Sequence, residues 1–283
     1  MTQKITSKAN PLVREIIKLR TREAERKRTG LFVAEGRREV SLALSSGIPV
    51  HKLLICPDYY LPEPLYPVRT ELVDSANSFI LSPAVYVSLA YRNGAEGVMI
   101  IGKQKDHRPG SFSLPPDPLI LLLEGTEKPG NLGAVMRTAD AAGVDALVIA
   151  GARTGIYNPN TIRSSLGCVF TLPVISCSSQ EAVEWLQDQS MWEAGRPPKL
   201  ILASLQAEKD YFEEDMTGAC VLAFGAEASG LSKQWAGTGA NAVRIPMAGA
   251  IDSLNLSASA AIMTFEAVRQ RQLKASGVLR SPF

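Results

Sequence analysis

The sequence predicts an α/β protein in two parts, with a parallel sheet covered by helices in the C-terminal part. Uninterrupted apolar runs, such as residues 119–123 and 220–224, are typical of strands buried on both faces. Segments with apolar residues at helical spacing lie between these runs. A chain of 283 residues with 46% hydrophobic and 20% charged residues has an ordinary globular composition and room for two domains.

The first part is expected to be a small α/β domain over residues 1–105. Pro11 is suited to the first turn of a helix, apolar residues follow it at helical spacing at positions 12, 13, 16 and 17, and Gly30 is expected to end the element. Strands are predicted at 31–34, 52–56 and 97–101. A helix between the first two strands indicates the start of a βαβ arrangement.

The second part is expected to span residues 119–275, after a linker at 106–118. Four prolines in residues 106–118 favour an extended connection. The predicted strands and helices then alternate, as in parallel sheets. The strands are 119–123, 146–149, 200–203, 220–224 and 242–245, and the helices are 133–142, 180–187 and 258–271.

Composition excludes several classes of site. The four cysteines are scattered without a CxxC pair and there are only two histidines, which argues against a zinc site or a disulfide framework. We therefore expect no metal and a reducing cytoplasm. The N-terminal residues lack an apolar signal core, and the apolar runs are far shorter than the about 20 residues that span a bilayer.

Positive charge is concentrated near the N-terminus. The net charge is only +2, yet residues 1–40 contain eleven Lys or Arg and five Glu. A solvated amphipathic helix explains this pattern, and so does a surface that attracts a polyanion such as nucleic acid. Charge alone does not decide between them.

Three blocks place polar side chains beside glycine or at the ends of apolar runs: 131–137, 224–231 and 253–257. Ligand sites of open α/β sheets form at such strand ends. Asn131 is suited to cap a helix that carries Arg137, and an extended 253–257 would turn its three polar side chains to one side. Taken singly, each block can be explained by a helix cap or a glycine turn without any ligand site. Together they predict one site.

The three blocks resemble the motifs of the SpoU (TrmH-like) branch of the SPOUT methyltransferases. The first matches as Asn-Leu-Gly-Ala at 131–134 with Arg-Thr-Ala at 137–139, the second as 224–231, and the third as Ile-Pro-Met at 245–247 with Ser-Leu-Asn-Leu-Ser at 253–257. Order and spacing agree over residues 117–272. The N-terminal part is similar to the family's RNA-binding substrate domain, most clearly at 32–36.

The resemblance implies an RNA ribose 2′-O-methyltransferase that uses S-adenosylmethionine and has a deep C-terminal trefoil knot. It implies that backbone groups hold the cofactor, and that two further residues line its pocket. The backbone groups are those of Gly225, Ile245 and Leu254, and the lining residues are Ser204 and Leu205.

The resemblance also implies that Arg137 activates the 2′-hydroxyl together with the target phosphate. Four residues would position Arg137, substrate and cofactor: Asn131, Glu227, Ser253 and Asn255. Ser257 is left as the helix cap. A free guanidinium is a poor base because it stays protonated, so this role is assigned by the resemblance alone. The family works as a homodimer, and Arg137 acts either within its own chain or across the interface.

Ribosomal RNA is the expected substrate, because a separate N-terminal RNA-binding part is usual among the family's ribosomal members. A transfer RNA methyltransferase and a non-catalytic RNA-binding protein of the same fold are the alternatives. A dinucleotide-binding enzyme is excluded by context, since the single GxGxxA match, at 237–242, does not follow a predicted strand.

Overall fold

A computed structural model of the chain describes residues 3–62, 64–69, 71, 75–91, 96–192, 195–226, 230–235 and 238–277. The chain forms two compact units. The first contains residues 1–105 and 155–171, and the second contains 106–154 and 172–283. Composition did not predict that residues 155–171 pack with the first unit.

The secondary structure alternates along most of the chain. The strands are β1 Gln3–Ile5, β2 Leu31–Glu35, β3 Val50–Ile55, β4 Ser78–Leu81, β5 Val98–Lys103, β6 Leu119–Glu124, β7 Ala146–Ala150, β8 Val174–Cys177, β9 Lys199–Ala203, β10 Cys220–Phe224 and β11 Asn241–Val243. The helices are α1 Pro11–Thr21, α2 Glu23–Thr29, α3 Arg37–Ser45, α4 Pro83–Leu89, α5 Pro129–Ala142, α6 Pro159–Ser164, α7 Cys168–Thr171, α8 Ser179–Gln187 and α9 Leu256–Ala275.

The first unit is built on a mixed sheet with the strand order β1-β4-β3-β5-β2. β5 runs antiparallel to both β2 and β3 and lies between them. β2 and β3 therefore run parallel to each other and are connected through α3, so the predicted βαβ arrangement is present in a split form, in which the two strands do not pair directly. β1 and β4 were not predicted, since strands of three and four residues carry little periodicity.

The basic N-terminal segment forms two helices where one was expected. Arg22 has extended backbone (φ −120°, ψ 113°) and separates α1 from α2, and Gly30 then ends α2 in the left-handed region at φ 65°. α1 packs one apolar face into the core through Leu12, Val13, Ile16 and Leu19. Its charged residues stay on the outside.

Residues 155–171 belong to the first unit because their aromatic side chains complete its core. The ring of Phe32 stacks on Tyr157 and on Phe170, with centroid distances of 4.5 and 5.4 Å. The backbone N–H of Lys105 donates to the Tyr157 hydroxyl at 2.9 Å. Aromatic pairs of this kind add about 0.5–1.5 kcal/mol beyond area burial.

The second unit contains a parallel six-stranded sheet in the order β11-β9-β10-β6-β7-β8. Every residue of β6, β7 and β10 is buried, as the continuous apolar runs predicted. β8 was missed. The α/β class with a parallel sheet and a smaller N-terminal α/β part is confirmed, and the trefoil knot stays a prediction.

The proline-rich segment 106–118, expected as an extended linker, is attached to the second unit. Phe112 and Leu114 pack against its core. The carbonyl of His107 accepts a hydrogen bond from the Ser176 N–H at 2.7 Å. In the part of the chain that the structure describes, no helix combines the length and the apolar character needed to cross a membrane.

Candidate active site

A cleft of about 580 Å³ opens at the carboxyl ends of β9, β10 and β11 in the second unit. Its walls come from residues 202–206, 224–226, 230–235 and 242–247, and from 253–259 at the start of α9. The three strands are parallel neighbours, so the loops that leave them meet at one edge of the sheet. This volume is within the range of about 300–1,000 Å³ that is typical of small-molecule sites.

All five residues that the resemblance implied for the cofactor line this cleft: Ser204, Leu205, Gly225, Ile245 and Leu254. They come from three separate loops and from the approach to α9. The Ser204 N–H donates to the Val243 carbonyl at 2.9 Å and joins the loops after β9 and β11. Their contact with a cofactor stays a prediction, but the structure brings the set together.

Position 225 requires glycine, because the backbone of residues 230–231 comes too close to leave room for a side chain. A Cβ on Gly225 would lie 2.0 Å from the carbonyl carbon of Gly230 and 2.2 Å from the nitrogen of Leu231. The chain returns here because the Gly230 N–H donates to the Ala226 carbonyl at 2.8 Å. A side chain at position 225 would therefore push this wall of the cleft apart.

Glu124, which sequence reasoning missed, holds the same wall from β6. Its side chain is buried and accepts hydrogen bonds from the Ser232 N–H at 2.6 Å and the Ser232 hydroxyl at 2.8 Å. Burial alone would raise the pKa of Glu124, but hydrogen bonds from Ser179 and Ser232 outweigh it and lower the pKa. The ionised carboxylate thus fixes the segment 230–235. The position of this glutamate at the end of an otherwise apolar strand could have identified it in the sequence.

Asn255 caps α9 and also reaches α5. Its Oδ1 accepts from the N–H of Ser257 at 3.0 Å and from the Ser257 hydroxyl at 2.6 Å. Its Nδ2 donates to Oδ1 of Asn131 at 3.3 Å. The prediction of an extended 253–257 with Ser257 as the cap is wrong, because the helix begins at Leu256 and the asparagine amide satisfies the free N–H of the first turn.

Asn131 is not the cap of α5. The helix begins at Pro129 with Lys128 before it, so Asn131 lies within the first turn. Proline is favoured at this first position because its φ is already helical and its missing N–H would be unpaired there. The side chain of Asn131 therefore does not cap α5, and it accepts a hydrogen bond from Asn255.

Of the other three predicted catalytic residues, the structure places only Ser253 at the cleft. Ser253 lines the cleft, and its hydroxyl donates to Asp252 at 3.4 Å. Arg137 is exposed on α5, about 9 Å along the helix axis from Asn131. Within the described residues, Arg137 forms no hydrogen bond or ion pair and does not line the cleft. Glu227 lies outside the described residues.

The lining suits a cofactor with a planar heterocycle and a charged end. Leu202, Phe224, Trp235 and Val243 supply apolar surface, and hydroxyl groups, Gln206 and Lys233 supply polar contacts at other points of the wall. The residues 202, 206, 233 and 235 were not predicted from the sequence. Among the described residues, no cluster of three or more His, Cys, Asp or Glu could hold a metal ion.

Known proteins resemble the chain over both units. The model of the SpoU rRNA Methylase family matches residues 118–265, and that of the MRM3-like substrate binding domain matches residues 10–100. The 23S rRNA (uridine(2479)-2′-O)-methyltransferase of Streptomyces viridochromogenes is 34% identical over 87% of this chain and 85% of its own. The 23S rRNA (guanosine-2′-O-)-methyltransferase RlmB of Pseudomonas putida is 35% identical over 56% of this chain and 61% of its own.

A solved structure extends this likeness to three dimensions. The SpoU methyltransferase AviRb from Streptomyces viridochromogenes, in complex with the cofactor AdoMet, has a TM-score of 0.82 and 29% identity, and covers 93% of this chain and 99% of its own. The family predicted from the three motifs is confirmed. The chain belongs to the SpoU rRNA methylase family.

Proposed function

We propose that the protein transfers a methyl group from S-adenosylmethionine to a ribose 2′-hydroxyl of 23S ribosomal RNA. The observation that carries this proposal is the convergence of all five expected cofactor residues on one cleft beside Asn131 and Asn255. The names of the relatives given above support ribosomal RNA as the substrate. We place the reaction in the cytoplasm, where ribosomal RNA is found.

The second unit would hold the cofactor mainly through backbone. S-adenosylmethionine supplies a methyl group on a sulfonium, which is electrophilic without help from a metal. Gly225, Ile245 and Leu254 line the cleft and would offer backbone groups to the cofactor, and Ser204 and Leu205 line it as well. Glu124 keeps the wall at 230–235 in place, so that the cleft is formed before the cofactor binds.

The substrate side would depend on side chains. An exposed guanidinium stays charged and presents several N–H donors, so Arg137 is suited to hold the target phosphate and orient the adjacent hydroxyl. Asn131 and Asn255, together with Ser253 and Glu227, would orient Arg137 and the ribose. Proton removal from the hydroxyl would follow from this alignment.

The same geometry favours a homodimer. Arg137 has no partner among the described residues of its own chain, and it lies on α5, which packs against α9. On α9, Ile262 and Phe265 are spaced for one face and are 36% and 49% exposed. We propose that this apolar face joins two copies and that Arg137 of one copy serves the cleft of the other. Sedimentation equilibrium should give twice the chain mass.

A chemical test separates ribose methylation from other outcomes. Unmodified 23S rRNA and transfer RNA, transcribed in vitro, are incubated with the protein and methyl-labelled cofactor and then hydrolysed with alkali. A 2′-O-methyl group removes the hydroxyl that attacks the next phosphate, so label should remain in alkali-resistant dinucleotides from 23S rRNA. Label in mononucleotides would refute ribose methylation.

The two alternatives give different results in the same experiment. Resistant label from transfer RNA alone would reassign the substrate. Binding of RNA without transfer to either RNA, in a protein that binds the cofactor, would indicate a non-catalytic RNA-binding protein.

A further inference from the structure

A small basic pocket lies in the first unit, separate from the cleft. It is lined by Arg20 at the end of α1, Glu35 at the end of β2, Tyr91 after α4, and residues of α6 that include Arg163. The guanidinium carbon of Arg20 lies 5.4 Å from the Tyr91 ring centroid, and that of Arg163 lies 5.6 Å from it. Two cations are thus held around one aromatic ring.

The pocket is held in shape by contacts of Tyr91. The Tyr91 N–H donates to Glu35 at 2.7 Å, and the Tyr91 hydroxyl is hydrogen-bonded to the side chain of Asn160. These two contacts link the end of β2 to α6. The positions of both arginines therefore follow from the fold and not from a flexible tail.

Neither arginine is hydrogen-bonded to a carboxylate. Across the described part of the chain, the side chains of Arg20 and Arg163 form no hydrogen bond and no ion pair. Arg20 is half-buried, and the burial lowers its pKa even though the charge of Glu35 acts in the opposite direction. A cation that is partly removed from water without an acceptor lacks hydrogen bonds that an incoming anion would supply.

The size of the pocket limits what can enter it. Its volume is about 30 Å³, which admits one or two groups of the size of a water molecule. A nucleobase does not fit, but phosphate oxygens do. Two arginines and Glu35 leave the charged side chains that line the pocket with a net charge of +1, which favours binding of an outside anion.

We propose that Arg20 and Arg163 form an arginine clamp for a backbone phosphate of RNA on the first unit. The clamp rests on the proposed function in naming RNA as the ligand. Arg163 comes from a stretch that belongs to the methylase match by sequence but to the first unit by packing. RNA held here would therefore be bound by both parts of the sequence.

The test measures binding of the full chain to a labelled twelve-nucleotide oligouridine by fluorescence anisotropy, at several KCl concentrations. Phosphate contacts are independent of sequence, so this probe is sufficient. Arg20→Gln and Arg163→Gln should each weaken binding by about tenfold, the size of one charge-assisted hydrogen bond at a partly exposed site. Each should also reduce the slope of log K against log salt by about one.

Arg28→Gln is the matched control. Arg28 is exposed in the same unit, but it is already paired with Glu25 at 2.6 Å, so its loss should change binding by less than twofold. If Arg28→Gln weakens binding as much as Arg163→Gln, diffuse charge attracts the RNA and the clamp is refuted. Arg163 is exposed, so Arg163→Gln stays decisive even where Arg20→Gln lowers folding stability.

Failure of the clamp differs from failure of the proposed function. If wild-type protein methylates 23S rRNA and Arg163→Gln shows the same RNA KM and salt slope, the clamp is wrong while the function stands. If both variants lose oligouridine binding but wild-type protein methylates no RNA, the clamp stands and the function is wrong.

Discussion

Replacement of Glu124 by glutamine should loosen the wall of the cleft without changing its shape. Glutamine fills the same volume, and the Ser232 hydroxyl can turn to accept from its amide, so both contacts persist as neutral hydrogen bonds. A bond to a charged group contributes about 1.5–3 kcal/mol and a neutral one about 0.5–1.5 kcal/mol. The two bonds together predict a loss of about 2–3 kcal/mol in the free energy of unfolding. For a chain of this size, that loss lowers Tm by roughly 4–12 °C.

The effect of Glu124→Gln should depend on pH in one direction. The pKa of Glu124 is lower in the folded protein than its ordinary value of 4.5, so the folded state binds this proton less tightly than the unfolded chain. Such a group stabilises the protein fully above the unfolded pKa and loses the contribution as the pH falls towards the folded pKa. The difference between wild type and variant should therefore be largest at neutral pH and shrink below about pH 4.5.

Urea unfolding at several pH values, with calorimetric titration of S-adenosylmethionine at pH 7, measures both consequences. Glu127→Gln is the control, because Glu127 follows β6 closely but forms an exposed ion pair with Arg153, which contributes at most about 1 kcal/mol. Equal unfolding free energies and equal cofactor affinities for Glu124→Gln and wild type would refute the role given to Glu124.

Three further substitutions address the other parts of the site. Gly225→Ala should abolish cofactor binding in calorimetric titration, because its Cβ would overlap the backbone at 230–231, whereas Gly249→Ala, whose Cβ would meet no atom within 4 Å, should bind as wild type does. Asn255→Ala should lower the free energy of unfolding by about 1 kcal/mol in urea through loss of the helix cap, and Ser257→Ala should lower it less. Arg137→Ala should abolish methyl transfer in the labelled-cofactor experiment and leave cofactor affinity unchanged; transfer near the wild-type rate would remove Arg137 from the site.

The sequence predicted the second unit well because its strands are buried on both faces. β6, β7 and β10 are continuous apolar runs, and runs of this length bounded by turn residues are typical of few structures besides a buried strand. The first unit was predicted less well. β1 and β4 are short, and each depends on pairing with a distant strand that no local pattern reveals.

The residues of the candidate site could likewise be predicted only in part. Of the five residues expected at the cofactor, four follow β9, β10 or β11 and Leu254 precedes α9, and it was the resemblance of the three motifs that assigned them. The contacts that organise the cleft join distant positions: Glu124 and Ser232 are 108 residues apart, and Asn131 and Asn255 are 124 apart. No single segment contains both members of either pair. The three motifs taken together indicated that the stretches of Asn131 and Asn255 meet, whereas the contact of Glu124 with Ser232 was not predicted.

The two halves of the site should respond differently to substitution. On the cofactor side, the contribution expected of Gly225, Ile245 and Leu254 is backbone, so replacing a side chain there should matter only where it blocks the chain path, as at Gly225. On the substrate side, the expected contribution is the side chain itself, and Asn255 combines a helix cap with a contact to α5. A cap can be supplied equally well by Asp or Ser, but neither has an amide N–H to donate to Asn131. Loss of transfer in Asn255→Asp with normal stability would therefore show that the proposed catalytic role of the contact with Asn131 is separate from the cap.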